Sequence, residues 1–251
     1  MICKDGLVVA SDSQATWGTH KRTDSDKIYK VTFQNGAGLI ANSGDVSASL
    51  RAVEITQSLC GPEQLTDSRQ LAENAAKAVS QVRSILMEPY RSFANSPQSF
   101  DQLFRDHDLA ILTANYYGGL PYIYTIEFPA AVPTKQKQHA AIGCGANLAE
   151  FLLSWFDTGQ MLFIEGMVTA LYIIEEVKKY DAYCGGPAQL GYISFEDNHV
   201  ARMPAEVVSF LGDEMDLLDK SFKNQWQPSL ASKISSISKR LKAGEFGKLN
   251  Q

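Results

Sequence analysis

The order in which hydrophobic periodicity changes along the chain constrains its fold more than any other feature. Residues 7–11 form a short apolar run ending in polar residues, 28–33 alternate apolar and polar, and 37–43 make a third such segment, so all three are expected as strands. The period then lengthens. Val46, Leu50, Val53, Ile55 and Leu59 fall at helical spacing within 45–60, as do Leu71, Ala75, Val79, Val82 and Leu86 within 68–87. Two strands at 109–116 and 122–128 are expected to turn at Gly118-Gly119, with a further strand at 139–143. Helices are expected over 147–156 and 165–180, and a last hairpin pairs 189–195 with 199–203. Blocks of strands separated by pairs of helices, rather than strict strand-helix alternation, predict an α+β fold of antiparallel sheets layered with helix pairs.

A chain of 251 residues with 45% hydrophobic content can build one sizeable core, and nothing forces a division of it. The pattern ends near residue 203, which sets one domain over 1–203 and a weakly hydrophobic helical extension over 204–251. The polar stretch 89–108, with Pro97 inside it, reads as a surface insertion. A net charge of -5 argues against nucleic acid, whose phosphates need a basic face. The locally basic run from Lys233 to Lys248 reads as a solvated helix face. Neither the cysteines (Cys3, Cys60, Cys144, Cys184) nor the histidines (His20, His107, His139, His199) show metal-ligand spacing, so no metal and no cofactor is expected. No apolar stretch approaches bilayer-spanning length and the start lacks a secretory pattern, which together predict a cytoplasmic protein with free thiols and no membrane partner.

A few positions could carry chemistry. Asp12 ends one expected strand and Lys27 precedes the next; if those strands pair as a hairpin, carboxylate and ammonium meet at the sheet's end, either as a surface ion pair or as an activating pair. Asn42-Ser43-Gly44-Asp45 lies where a strand enters a helix, so Gly44 either serves the turn or offers its amide to a developing oxyanion. Cys144, between Gly143 and Gly145, occupies a second strand-to-helix turn, where a helix N-terminus favours thiolate and a thiol can act as nucleophile. Asp181 with Cys184 and Gly185-Gly186 follows a long apolar helix, where a plain C-cap is the alternative reading.

Taken in order, these pieces resemble the proteasome beta-type subunits of the N-terminal nucleophile hydrolases. Lys4-Asp5-Gly6, an apolar strand and Ala10-Ser11-Asp12-Ser13-Gln14-Ala15-Thr16 match the family's opening, and Lys27-Ile28-Tyr29-Lys30-Val31 its next marker. Ser43-Gly44-Asp45, Gly143-Cys144-Gly145 and the run from Asp181 to Gly186 match three later turns, so the likeness covers residues 1 to about 203. The resemblance implies a four-layer αββα sandwich, two stacked antiparallel sheets between helix layers. It further implies that Lys27 lowers the nucleophile's pKa, Asp12 orients Lys27, Gly44 supplies an oxyanion amide, and Asp181 with Cys184 holds the nucleophile's free amine. Cys144 would stand beside that amine. Thr16 would bind substrate backbone, Ser25 and Asn42 would lie near a specificity pocket, and a peptide or unfolded protein would bind as an added strand. A homo-oligomeric ring is implied, with an ATPase unfoldase as a further partner.

The sequence departs from this family in one respect that matters. The family nucleophile is a Thr made N-terminal by processing; by the resemblance, counted back from Lys4-Asp5, it falls about five residues before Met1. Cys3 cannot replace it, since it lies beside Lys4 within the first strand. Three readings follow: a peptidase whose N-terminal Thr lies upstream of Met1, a catalytically inactive structural ring subunit, and a cysteine amidohydrolase using Cys144. Leu148, Phe151, Leu152, Trp155 and Phe156 give one short helix more apolar surface than a single core face needs, which supports oligomerisation.

Overall fold

The structure, a computed structural model, describes residues 1–17, 20–33, 36–61, 67–88 and 108–213. The chain divides into two compact units, Met1–Ser209 and Phe210–Gln251, and the first contains every element below. The expected insertion at 89–108, but for Asp108, and the basic run from Lys233 to Lys248 lie outside the described residues.

One sheet joins β4 (Ile28–Phe33), β5 (Gly36–Gly44), β6 (Leu109–Tyr117), β7 (Leu120–Glu127) and β8 (Thr134–Gln136) in sequence order, all antiparallel. The second runs β1 (Gly6–Ser11), β9 (Gln189–Ser194), β10 (Val200–Arg202), also antiparallel. A short ribbon of β2 (Ala15–Trp17) and β3 (His20–Arg22) stands apart.

Burial on both faces explains why β5 and β6 read as nearly continuous apolar runs. Successive side chains point to opposite sides of a strand. Ile40 and Ile111 therefore face a core shared with α1 (Val46–Leu59) and α2 (Gln70–Met87), while Leu39 and Leu112 face a core shared with Leu7, Val9 and Ile193 of the other sheet. On the far side of that second sheet lie α3 (Ala146–Leu153) and α4 (Phe163–Tyr180), joined through Leu152, Leu153, Ile173 and Val177, with α4 packed on β1 and β9. The layers are helix, sheet, sheet, helix: the αββα sandwich.

Local chemistry sets where the helices start. Gly44 has φ of 95°, a left-handed turn that costs glycine little, and the Asp45 carboxylate then accepts the Ala48 amide at 2.8 Å to cap α1. Ahead of α4, Glu165 reaches back to the Leu162 amide at 2.9 Å.

Three expectations need correction. Residues 139–143 do not form a strand: the Ala141 amide donates to the Glu150 side chain at 2.6 Å rather than to a neighbouring backbone, and the sheet instead ends on β8. Nor do the strands bearing Asp12 and Lys27 form a hairpin. β1 pairs with β9 and β4 with β5, so the two residues come from different sheets. Helix α3 also stops at Leu153, short of Trp155 and Phe156.

Candidate active site

Although their strands lie in different sheets, Asp12 and Lys27 meet at the shared edge of the sandwich. Lys27 Nζ donates to Asp12 Oδ1 at 2.7 Å, with only 16% and 12% of the two side chains exposed. Asp12 Oδ2 accepts the amides of Gly185 at 2.9 Å and Gln14 at 3.2 Å, so the carboxylate ties β1 to the turn after α4. Gln189 braces the other partner: its Oε1 accepts the Lys27 amide at 3.0 Å and its Nε2 donates to the Ser25 carbonyl at 2.7 Å. Gln189 lies outside the motifs read from the sequence, since its value depends on which distant backbone it reaches.

The turns carrying the two cysteines also converge here. Gly143 has φ of 93°, and its bare Cα is packed against the Ser43 hydroxyl, so only glycine brings this turn down onto the end of β5. That contact places Cys144 Sγ 3.4 Å from Cys184 Sγ. The hydrogen bond shared with Cys184 holds the Cys144 pKa below the usual thiol value, with a smaller contribution from the Gly145 amide at the start of α3. The same hydrogen bond, with burial, pushes Cys184 up. The Asp181 carboxylate accepts the Tyr183 amide at 2.8 Å and shapes the loop that carries Cys184. Ligand-type atoms of Cys144, Asp181 and Cys184 lie within 4.8 Å of one another, a clustering that sequence spacing alone did not indicate.

Two hollows adjoin this cluster. The first, of about 140 Å³, is a slot between β1 and the segment 140–144; it opens at Met1, passes Val9, Ala10 and Ser11, and ends at Asp12, Lys27, Cys144 and Cys184. Its floor includes Ala41, Asn42 and Ser43. At its other end Met1 already behaves as a strand residue. The Met1 amine donates to the Val8 carbonyl at 2.7 Å, the Val8 amide donates to the Met1 carbonyl at 3.0 Å, Ile2 bridges Leu7, and the Ile2 amide donates to the Gln138 carbonyl at 2.8 Å. Burial pushes the Met1 amine down to about 6. It also raises Cys3, buried against Gly166, to about 11.

The second hollow, of about 490 Å³, is walled by Ser25, Asn42, Gly44, Ser49, Leu50, Tyr29 and Asp108. Gly44 therefore borders this cavity and not the slot. Asn42 lines both and is buried; its Nδ2 donates to Ser49 at 2.8 Å while Oδ1 has no hydrogen-bond partner among the described residues. Thr16 sits in β2 opposite Lys21. The structure thus gathers Asp12, Lys27, Cys144 and Cys184 at the end of the slot, with Asp181 beside the thiols, and places Ser25, Asn42 and Gly44 round the neighbouring cavity.

The chain is 26% identical over 196 residues to proteasome subunit beta 1 of Thermococcus kodakarensis, covering 78% of this chain and 87% of that one. It resembles the proteasome beta-type subunits. The fold agrees. Anbu, the ancestral beta-subunit, from Yersinia bercovieri superposes with a TM-score of 0.66 at 16% identity, covering 94% of this chain and 95% of that one. The helical assembly of the Anbu complex from Pseudomonas aeruginosa gives 0.63 at 16%, covering 93% of each chain. No family model matches the sequence. Among the described residues, no helix is long and apolar enough to cross a membrane.

Proposed function

We propose that this protein is a proteasome-like peptide hydrolase whose nucleophile is the N-terminal residue of a segment preceding Met1. The observation that carries the reading is the slot. Met1 faces Val8 and Ile2 faces Leu7, so a strand continued backwards in that register passes Val9, Ala10 and Ser11 and reaches Asp12. At about 3.3 Å per residue, some four or five residues bring a terminal amine and hydroxyl to the Asp12–Lys27 pair. A peptide N–H at Met1 would also satisfy the Val8 carbonyl without burying a charge.

In this site Lys27 is the cation that lowers the pKa of the nucleophile's environment, and Asp12 holds it. Asp181 and Cys184 contact the terminal amine, with Cys144 beside it. The amine takes the hydroxyl proton as the oxygen attacks the peptide carbonyl, then returns it to the leaving amine. An extended peptide adds along Thr16 and the end of β5, with one side chain in the cavity bordered by Ser25 and Asn42 and the Gly44 turn at its rim. Cys144 is a weaker candidate for nucleophile, because its thiol is engaged by Cys184 rather than by a histidine.

The test is the intact mass and N-terminal sequence of the protein purified from its native source, with peptide hydrolysis measured on the same sample. A processed N-terminal Thr, with activity lost in Lys27→Ala, is the expected result. Native protein that begins at Met1 and cleaves no peptide would instead make it a structural subunit.

A further inference from the structure

We propose that Cys144 and Cys184 form a redox site that closes reversibly to a disulfide when the protein meets a peroxide. This goes beyond the peptidase reading and does not depend on it.

The geometry is selective. The two Sγ atoms are 3.4 Å apart, and closing to about 2.05 Å asks the two sulfurs to approach by little more than about 1 Å between them. Both cysteines lie on turns rather than inside helices or strands: Cys144 in the turn entering α3, Cys184 in the turn following α4. Gly145 leaves room for the partner sulfur, since a Cβ there would come within 3.0 Å of Cys184 Sγ. Cys144 is exposed and Cys184 partly so, whereas Cys3 and Cys60 are buried at 3% and 7% exposure. Cys144 is the more exposed of the two and stands at the start of α3, which makes it the attacking thiolate and leaves Cys184 as the resolving thiol.

The chemistry balances with the peroxide as oxidant. Cys144 thiolate attacks one peroxide oxygen, the O–O bond breaks, and the departing hydroxide takes a proton to become water; sulfur is oxidised to the sulfenic acid as the peroxide is reduced. Cys184 then attacks the Cys144 sulfur. The S–S bond forms, the S–O bond breaks, and the leaving hydroxide takes the Cys184 proton as a second water. A dithiol reductant reverses the link by thiol exchange. The closed form ties the Gly143–Gly145 turn to the Asp181–Gly186 turn at the inner end of the slot.

The experiment treats the full chain with hydrogen peroxide, alkylates remaining thiols after denaturation, and maps peptides by mass spectrometry before and after dithiothreitol. The expected result is a Cys144–Cys184 cross-linked peptide, lost on reduction, with Cys3 and Cys60 alkylated about tenfold more completely than the pair. In Cys184→Ser the link is absent and Cys144 advances to the sulfinic acid; in Cys144→Ser neither product forms. Thermal unfolding checks that both variants are folded. Wild-type protein in which Cys144 over-oxidises while Cys184 stays free would overturn the proposal. So would a pair that alkylates only after a chelator, which would assign Cys144, Asp181 and Cys184 to a metal ion.

Discussion

Lys27 Nζ lies 2.7 Å from Asp12 Oδ1, and the two residues reach each other from different sheets. The pair therefore joins the sheets at the edge where the slot ends. Asp12→Ala removes the acceptor from Lys27, Gly185 and Gln14 and leaves a largely buried ammonium, so it should cost about 3 kcal/mol. Lys27→Met leaves the carboxylate with two backbone amide donors and should cost less, about 1–2 kcal/mol. Urea unfolding of the two variants measures the difference; equal losses would contradict this division.

The buried Met1 amine predicts a pH dependence with a definite sign. Its pKa falls from 8.0 unfolded to about 6 folded, so between those values the unfolded chain binds more protons and stability rises with pH. The stabilisation is complete above pH 8, declines as the pH drops towards 6, and is flat below. That difference corresponds to at most about 3 kcal/mol. Thermal unfolding of chain starting at Met1 should show this slope. An N-terminally extended chain, whose Met1 nitrogen is an amide, should lose it.

Glycine at 143 is required by both backbone and space. Gly143→Ala must hold φ of 93° and push aside the Ser43 hydroxyl, with an expected cost of about 2–3 kcal/mol. Gly118, at φ of 59°, has nothing among the described residues within 4 Å of the place a methyl group would take, so Gly118→Ala should cost only about 1 kcal/mol. Denaturant midpoints compare the two. Recovery of part of the Gly143→Ala loss by Ser43→Gly would locate the clash.

The exposed end of α3 and the turn that follows it predict self-association. Phe151 and Trp155 are 57% and 64% exposed and pack edge-on with ring centroids 5.1 Å apart, whereas Leu152 beside them is buried in the core. Phe151→Ser with Trp155→Ser should shift light-scattering mass towards monomer at micromolar concentration and change the unfolding midpoint little. Wild-type protein that is monomeric under those conditions would exclude this surface as an interface.

Much of the architecture is legible locally, because strand and helix periods differ within a few residues of chain. The spans of β4, β6, β7, α1 and α2 follow from alternation in Ile28–Phe33 and from the spacing of Leu71, Ala75, Val79 and Val82. The apolar residues of α3 divided otherwise: Leu152 went to the core and Phe151 to the surface, as the direction of each side chain from the helix axis dictates.

By itself the sequence determined the strand character of 28–33 and 109–116 and the helical character of 45–60 and 68–87, where Gly44 and Gly143 had to turn the chain, and which polar residues stood at those turns. Periodicity and turn chemistry act over a few residues, so they survive in one dimension. Only the tertiary structure decided that Gly6 pairs with Ser194, that residues 139–143 give their amide to Glu150 instead of a strand, and that Gly185 and Gln189 complete the Asp12–Lys27 cluster. Those choices are made by segments far apart in the chain, each satisfying the other's buried backbone groups and apolar faces, and such partners carry no local signature.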